Sequence, residues 1–475
     1  MSEKVSVVVL AAGLGTRMRS KRAKVLHQAG GKALIEHVLK AAAAIAPPDG
    51  TFVVIGHQAD QVRALLKPRG FRFIDQAEQL GTGHALLCGR TQLEPRDGIL
   101  MILNGDGPLL RPGTLRELLR AHQTSGAAGT IMSAELDDPT GYGRIIRSPS
   151  GAVLEVIEQK AATPAQLLIR ESNTGQYCFN NDTFWKHAVE LTANNPAKEY
   201  YLTDMVAILI AAGHRIEAFR VGDATEVKGI NTRVELAEVD RIFRDRKVQE
   251  LMLEGVTIEK PETVTVDQDV AIGMDTVIEP FVRITGHSSI GENCRIGAGA
   301  VIQNSKLADG VEISTLTVIQ DSTIDDEATL GPFTRLRPGN LIGKGAHLGN
   351  FVEAKNSNVG AGVKAGHLSY LGDSLIGNGA NIGAGTITCN FDGFKKHRTE
   401  IGEDAFIGSN STLVAPVRIS PDSYIAAGSV ITENVPELSL GIGRAKQVTK
   451  EGWVERRRKE REIRESGEPV EKRKD

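Results

Sequence analysis

The strongest constraint in this 475-residue chain is a period of six that sets in after about residue 255. Val266, Ile272, Ile278, Ile284, Ile290, Ile296 and Ile302 follow one another at that spacing. A second register runs Val318, Ile324, Leu330, Leu336, Ile342, Leu348, and a third runs Ile401, Ile407, Leu413, Ile419, Ile425, Ile431. Glycine often follows the aliphatic position, as at Gly291, Gly297, Gly331, Gly343, Gly377, Gly402 and Gly408. Neither a helix nor an alternating strand produces this spacing. One inward aliphatic per six residues, with small or turn-forming neighbours, builds a prism whose flat sides are short parallel strands. Stacked coils of such a prism bury a continuous aliphatic column. Between Leu348 and Ile401 the register slips several times, which predicts polar loops on a rigid scaffold, a common place for chemistry.

The first half has a different grammar. Val5–Leu10, Thr51–Ile55 and Gly98–Leu103 read as fully buried strands alternating with helical stretches. That alternation predicts βαβ units, a mostly parallel sheet, and ligands beyond the strands' carboxyl ends. Thr232 with Glu235 fits a capping box, and Val234, Val239, Ile242 and Phe243 keep helical spacing among charges down to Leu253. The expected organisation is an α/β domain over 1–231, a helical arm over 232–254, a hexapeptide-repeat domain over 255–455 and a solvated charged tail over 456–475.

Composition narrows the function classes. A formal net charge of −3 supplies no global pull toward nucleic acid or an anionic membrane. Cys88, Cys178, Cys294 and Cys389 lie far apart without metal or disulfide spacing, and the eleven histidines form no ligand-spaced cluster. No signal-peptide pattern and no membrane-spanning apolar run is present, so a cytoplasmic location is expected.

Directly after the first strand comes Leu10-Ala11-Ala12-Gly13-Leu14-Gly15-Thr16-Arg17-Met18. Its glycines let backbone N–H groups approach a phosphate, and Arg17 adds charge. It is neither a Walker A loop nor the dinucleotide fingerprint, because no Gly-Lys-Ser/Thr follows and Met18 stands where a third glycine belongs. With Lys24-Val-Leu-His27, Gln76 to Ala85, and Asp138-Pro-Thr-Gly141-Tyr-Gly-Arg144, this half resembles sugar-1-phosphate nucleotidylyltransferases. Taken with the second half, it resembles the bifunctional family that couples N-acetylglucosamine-1-phosphate uridylyltransferase to glucosamine-1-phosphate N-acetyltransferase. The likeness extends to about residue 455.

The resemblance implies a Rossmann-like nucleotidyltransferase domain followed by a left-handed parallel β-helix, and a homotrimer; the hexads alone fix neither handedness nor oligomeric state. Its implied substrates are UTP, acetyl-CoA, glucosamine-1-phosphate and N-acetylglucosamine-1-phosphate, with Mg²⁺ as cofactor and an envelope-polysaccharide precursor as product. Arg17 and Lys24 would hold the triphosphate, and Leu10, Ala11, Ala12, Gly13, Gln76, Gly81 and Thr82 the uridine. Asn104 and Gly105 belong to the same nucleotide site. Gly141, Glu158, Asn173 and Asn231 would contact the sugar or its phosphate, and Asp106 with Asn231 would coordinate Mg²⁺. Oxygen ligands suit such a hard cation.

In the slipped region the resemblance makes His367 the general base for amine acetylation, a task that suits the ordinary histidine pKa of about 6.5. Arg337 and Lys355 would grip the sugar phosphate, and Tyr370 and Asn381 the sugar. Ala384, Asn390, Phe391, Ser409, Ala427 and Arg444 would line the acetyl-CoA channel, with Lys396 as a phosphate contact. Four positions depart from the family pattern: Ala23 stands where proline usually precedes the lysine, Gly107 where valine is common, Leu14 where lysine is frequent, and Phe391 where tyrosine is usual. Two other classes remain open at this point: a nucleotidyltransferase with a merely oligomerising or regulatory β-helix, and a catalytically silent scaffold. Intact His367, Arg337 and Lys355 argue against the first, and Arg17, Lys24 and Asp106 against the second.

Overall fold

The computed structural model describes residues 3–195 and 198–466. Two compact units emerge, Met1–Leu253 with Thr265–Val270, and Glu254–Val264 with Ala271 onward. In the first, β1 (Val5–Leu10), β2 (Thr51–Ile55), β3 (Arg72–Asp75), β4 (Ile99–Asn104), β5 (Gly129–Glu135), β6 (Gly143–Arg147), β7 (Val153–Ile157), β8 (Glu171–Asn180) and β9 (Ile216–Arg220) form one mixed sheet. Its main path is β9-β5-β8-β4-β1-β2-β3. The run β4-β1-β2-β3 is parallel, while β8 lies antiparallel to β4, β5 and β6. The continuous apolar reading of β1 has a direct cause. Val7 and Val9 pack into the core on one face and Val8 into the core on the other, so no position is left for polar alternation. The cleft-forming loops therefore leave the carboxyl ends of β1, β2 and β4.

The helix expected after the α/β domain spans Arg233–Leu253 (α3; the preceding helices used below are α1, Ala59–Leu66, and α2, Thr82–Cys88). The capping box forms: Thr232 Oγ1 accepts from the Glu235 amide at 3.2 Å, and Glu235 Oε2 accepts from the Thr232 amide at 2.6 Å. Val239 and Phe243 are buried with Met18, Ala29, Leu34, Leu109 and Ile230, so α3 packs as part of the first unit rather than as a free arm. Val234 is not part of that stripe. It is 80% exposed, because the first turn precedes the contact.

The second unit winds through three parallel sheets, consistent with a left-handed parallel β-helix. One inward column stacks Ile284, Ile302, Ile319, Leu336, Ala354 and Leu371 on successive coils. Here the structure corrects the hexad reading twice. Val318 is only half-buried and Ile319 points inward in its place, since a side one residue short follows Ile302. The slipped region is also not a set of loops. Ala354, Val359, Ala365, Leu371, Ile376 and Ile382 continue the buried column, and shortened sides with inward alanines hid it from an aliphatic count. Its one projecting insertion is a hairpin closed by the Phe391–Lys396 bridge and by the His397 amide on the Asn390 carbonyl at 2.8 Å.

The register assignment makes a stability prediction. Ile319→Ala should lower the urea midpoint of this unit by an amount equivalent to roughly 2–5 kcal/mol, and Val318→Ala by less than about 1 kcal/mol. A larger loss at Val318 would contradict the assignment.

Beyond the prism, Trp453–Ser466 forms a helix (α4) with no buried residue, where the sequence reads as a solvated, frayed extension. Arginine and glutamate are good helix formers, and the Arg461–Glu465 pair at 2.7 Å adds the usual i,i+4 support. Residues 467–475 of that tail lie outside the described residues. Among the described residues no helix is long and apolar enough to cross a membrane.

Candidate active sites

At the carboxyl ends of β1, β2 and β4 the first unit opens a cleft of about 560 Å³. Leu10, Ala11, Ala12, Gly13, Lys24, Gln76, Gly81, Thr82, Asn104, Asp106 and Glu158 line it, so most residues singled out from the sequence converge there. Gly15 holds the loop together in a left-handed conformation (φ 61°), and a Cβ there would lie 2.8 Å from that of Lys24. The ammonium of Lys24 is ion-paired with Asp106 and donates to Asn231 Oδ1 at 3.2 Å. Arg17 donates to the same Asn231 oxygen at 2.9 Å, and the Ile230 amide donates to the Asp106 carbonyl at 3.0 Å. Two cations and two hard-oxygen side chains thus meet at one corner of the cleft.

The opposite wall is set by α2. Gln76 Nε2 donates to the Gly81 carbonyl at 3.0 Å. The Gly83 amide donates to the Tyr200 carbonyl at 2.8 Å, and the Tyr200 amide to the Leu80 carbonyl at 2.7 Å. Gly81 (φ 107°) is forced by this crossing, since a Cβ would come within 2.5 Å of the Tyr200 carbonyl. The crossing brings Glu199 and Tyr201 into the cleft, where Gln79 also contributes. Sequence reasoning missed Glu199 and Tyr201, because their segment carries no glycine signature or period, and it quoted Gln79 only within the Gln76 to Ala85 motif without giving it a role.

Glu158 accepts from Thr203 Oγ1 at 3.2 Å. Burial, aided by the charges of Asp204 and Glu199, raises its carboxyl above the ordinary range. Asn173 is buried and donates to the Tyr177 hydroxyl at 2.7 Å. Gly141 is not among the residues that line the cleft. It sits at a loop tip with its N–H on Gln159, and the residue paired with Asn173 is Gly143. Gly105 supports the floor of the cleft by donating to the Leu10 carbonyl at 2.9 Å.

In the second unit His367 ends the strand Lys364–His367, with its ring exposed and its carbonyl accepting from Ser369 Oγ at 3.0 Å. Ala384, Ser409 and Ala427 occupy the equivalent position on successive coils above it. The ladder is fixed by the Gly385 amide on Leu368 (3.0 Å), the Asn410 amide on Ala384 (2.7 Å) and the Gly428 amide on Ser409 (2.8 Å). Arg444 closes its end by donating to the Ala427 carbonyl at 2.7 Å. Of the predicted channel residues, Ala384, Ser409, Ala427 and Arg444 therefore lie along one edge of the prism, and Asn390, Phe391 and Lys396 lie on the hairpin.

Beside that edge, on the adjoining sheet, Glu353 pairs with Tyr370 in register, and Arg337 and Lys355 follow on neighbouring rungs. Arg337 donates to Glu353 Oε1 at 3.1 Å. The nearby charge of Lys396 and, to a lesser extent, that of Arg337 push the Lys355 ammonium below the ordinary lysine range. Three gathered cations of this kind call for an anion. Asn390 is tied to Asp373 and anchors the hairpin, which leaves Phe391 exposed and Phe394 at the tip 96% exposed. Asn381 lies on the His367 sheet, between Lys364 and Phe406, not with Tyr370.

Comparison with known proteins gives the family of the chain. Residues 7–171 match the MobA-like NTP transferase domain, residues 258–338 the GMPPB C-terminal domain, and residues 398–433 the bacterial transferase hexapeptide model of six repeats. Fold and sites together define a nucleotidyltransferase joined to a hexapeptide-repeat transferase, with a nucleotide as one substrate. The Bifunctional protein GlmU of Solibacter usitatus is 56% identical over 459 residues, 97% of this chain and 98% of that protein. The one from Koribacter versatilis is 49% identical, over 97% and 98%. The one from Anaeromyxobacter sp. is 48% identical, over 96% and 93%. The chain belongs to the bifunctional GlmU family.

Proposed function

We infer that this chain acetylates glucosamine-1-phosphate with acetyl-CoA in the domain over 255–455, and then transfers UMP from UTP to N-acetylglucosamine-1-phosphate in the domain over 1–231. One observation carries the reading: each unit gathers its own anion-binding cations, Lys24 and Arg17 with Asp106 in one, and Arg337, Lys355 and Lys396 in the other, on the sheet adjoining the edge that His367 occupies.

In the first reaction Arg337, Lys355 and Lys396 hold the phosphate of the amino sugar, and Tyr370, with Asn381 from the neighbouring sheet, orients its ring. The amine attacks the thioester carbonyl, the C–N bond forms, and the C–S bond breaks to release the CoA thiol. His367 takes the amine proton. Acetyl-CoA runs along the ladder of Ala384, Ser409 and Ala427, with Asn390, Phe391 and Arg444 beside it. The lost hydroxyl at Phe391 removes one hydrogen bond, worth about 1 kcal/mol, and leaves the ring contact.

In the second reaction the sugar phosphate oxygen attacks the α-phosphorus of UTP and pyrophosphate leaves. No covalent protein intermediate is needed, so the site works by alignment and charge neutralisation. Leu10 to Gly13, Gln76, Gly81 and Thr82 seat uridine, and Glu158, Asn173 and the Gly141 loop seat the sugar. Lys24 and Arg17 neutralise the transferring phosphates. Asp106 and Asn231 present two oxygen donors at one point, a hard-ligand set that would suit Mg²⁺. Bound there, Mg²⁺ neutralises charge on the phosphates.

The enzyme works in the cytoplasm, in keeping with its free thiols, and as a homotrimer. Support for the trimer comes from one corner of the prism, where Leu316, Phe333, Phe351 and Leu368 stack with exposed side chains, the two phenyl rings 5.1 Å apart. The purified chain with acetyl-CoA, glucosamine-1-phosphate, UTP and Mg²⁺ should release CoA thiol and then pyrophosphate. Thiol release without pyrophosphate, or the reverse, would reduce the reading to a single transferase.

A further inference from the structure

We propose that Gln58 is a positioning residue for Lys24, holding the Lys21–Lys24 turn with two hydrogen bonds where a proline at position 23 would hold it by its ring. This rests on Lys24 serving uridylyl transfer as described above. Gln58 is the residue before α1, and its backbone sits in the left-handed region at φ 54°, ψ 38°. That conformation is uncommon for a residue with a side chain. Its carbonyl accepts from the Gln61 amide at 3.0 Å and so starts the helix, but its side chain does not cap that helix. It turns instead to the separate turn that leads into Lys24. Oε1 accepts from the Ala23 amide at 2.6 Å, and Nε2 donates to the Lys21 carbonyl.

Ala23 gives this clamp its meaning. Its φ of −55° and ψ of 138° are values that proline adopts, and it is 2% exposed. Its carbonyl accepts from the Leu26 amide at 3.0 Å, opening the short turn Lys24–Leu26. An alanine there leaves the unfolded chain freer than proline would and adds a buried N–H that needs an acceptor. The Gln58 amide answers both needs, because it accepts from that N–H and fixes the carbonyl two residues earlier. The same 56–58 turn also sends the His57 amide to the Ala12 carbonyl at 3.3 Å, so it braces the glycine-rich loop as well. Gln58 does not line the cleft, and its effect passes through Lys24.

Glycine adopts φ 54° freely, so Gln58→Gly removes the clamp without adding backbone strain. Q58G should lower kcat/KM for UTP by about tenfold or more, while KM for N-acetylglucosamine-1-phosphate and the rate of acetyl transfer stay within about twofold. Adding Ala23→Pro to Q58G should restore kcat/KM for UTP to within about threefold of the parent, whereas A23P alone should give no gain, because it removes the N–H that Gln58 holds. Parent-like UTP kinetics in Q58G would overturn the proposal, as would a Q58G/A23P chain that stays slow while its acetyl transfer is intact. Failure of the parent itself to release pyrophosphate from UTP would instead overturn the uridylyltransferase reading, a distinct result.

Discussion

Replacing His367 with alanine should abolish acetyl transfer, a fall of about a hundred- to ten-thousandfold, while UMP transfer stays within about twofold. The expectation follows from where the imidazole stands. Its ring is exposed at the end of a strand whose inward anchor is Ala365, so truncation removes no core packing and leaves the coil intact. What disappears is the proposed proton acceptor, on the edge that adjoins the sheet of Arg337 and Lys355. Binding of glucosamine-1-phosphate should persist, because that grip is untouched, and the loss should fall on kcat rather than on KM. Gln at the same position keeps size and hydrogen bonding but cannot take the proton, so His367→Gln should be as inactive as the alanine variant. A His367→Gln chain with substantial activity would remove the imidazole from the mechanism. Parallel loss of both activities in a folded variant would sink the two-site assignment altogether.

The fold was legible to the degree that burial leaves a pattern in the residues. The hexads announce the prism because each inward position prefers an aliphatic, and the strands Val5–Leu10 and Thr51–Ile55 announce themselves because both faces are covered. The pattern failed where a smaller residue served. Inward Ala354 and Ala365 read as loops, and the hexad count lands on Val318 rather than Ile319 because a shortened side shifts the register by one. Site residues on glycine-rich turns were visible for a similar reason, since Gly15 and Gly81 mark backbone crossings that exclude a Cβ. Glu199 and Tyr201 enter the cleft only through the backbone bonds of Tyr200 to the 80–83 turn. Nothing in their own side chains encodes that long-range pairing. The clamp from Gln58 to Ala23 was hidden in the same way, between segments with no shared motif.

Asp106→Ala should do the opposite of His367→Ala: UMP transfer should fall by about a hundred- to a thousandfold, the scale of a lost charge-stabilising contact, with acetyl transfer unchanged. The carboxylate stands at the start of the loop after β4 and meets Lys24 and, through it, Asn231. Removing it deletes one of the two oxygen ligands offered to Mg²⁺ and frees the ammonium of Lys24, so the corner gains a unit of positive charge. UTP should then bind no more weakly, and KM for UTP should hold or fall while kcat collapses. The Mg²⁺ concentration for half-maximal rate should rise steeply. Asp106→Asn keeps an oxygen but not its charge, and should lie between the parent and Asp106→Ala in its Mg²⁺ requirement. A rise in KM for UTP with kcat preserved would show that the carboxylate serves ground-state binding rather than the transferring phosphate. An Mg²⁺ dependence identical to that of the parent would show that the metal is held elsewhere.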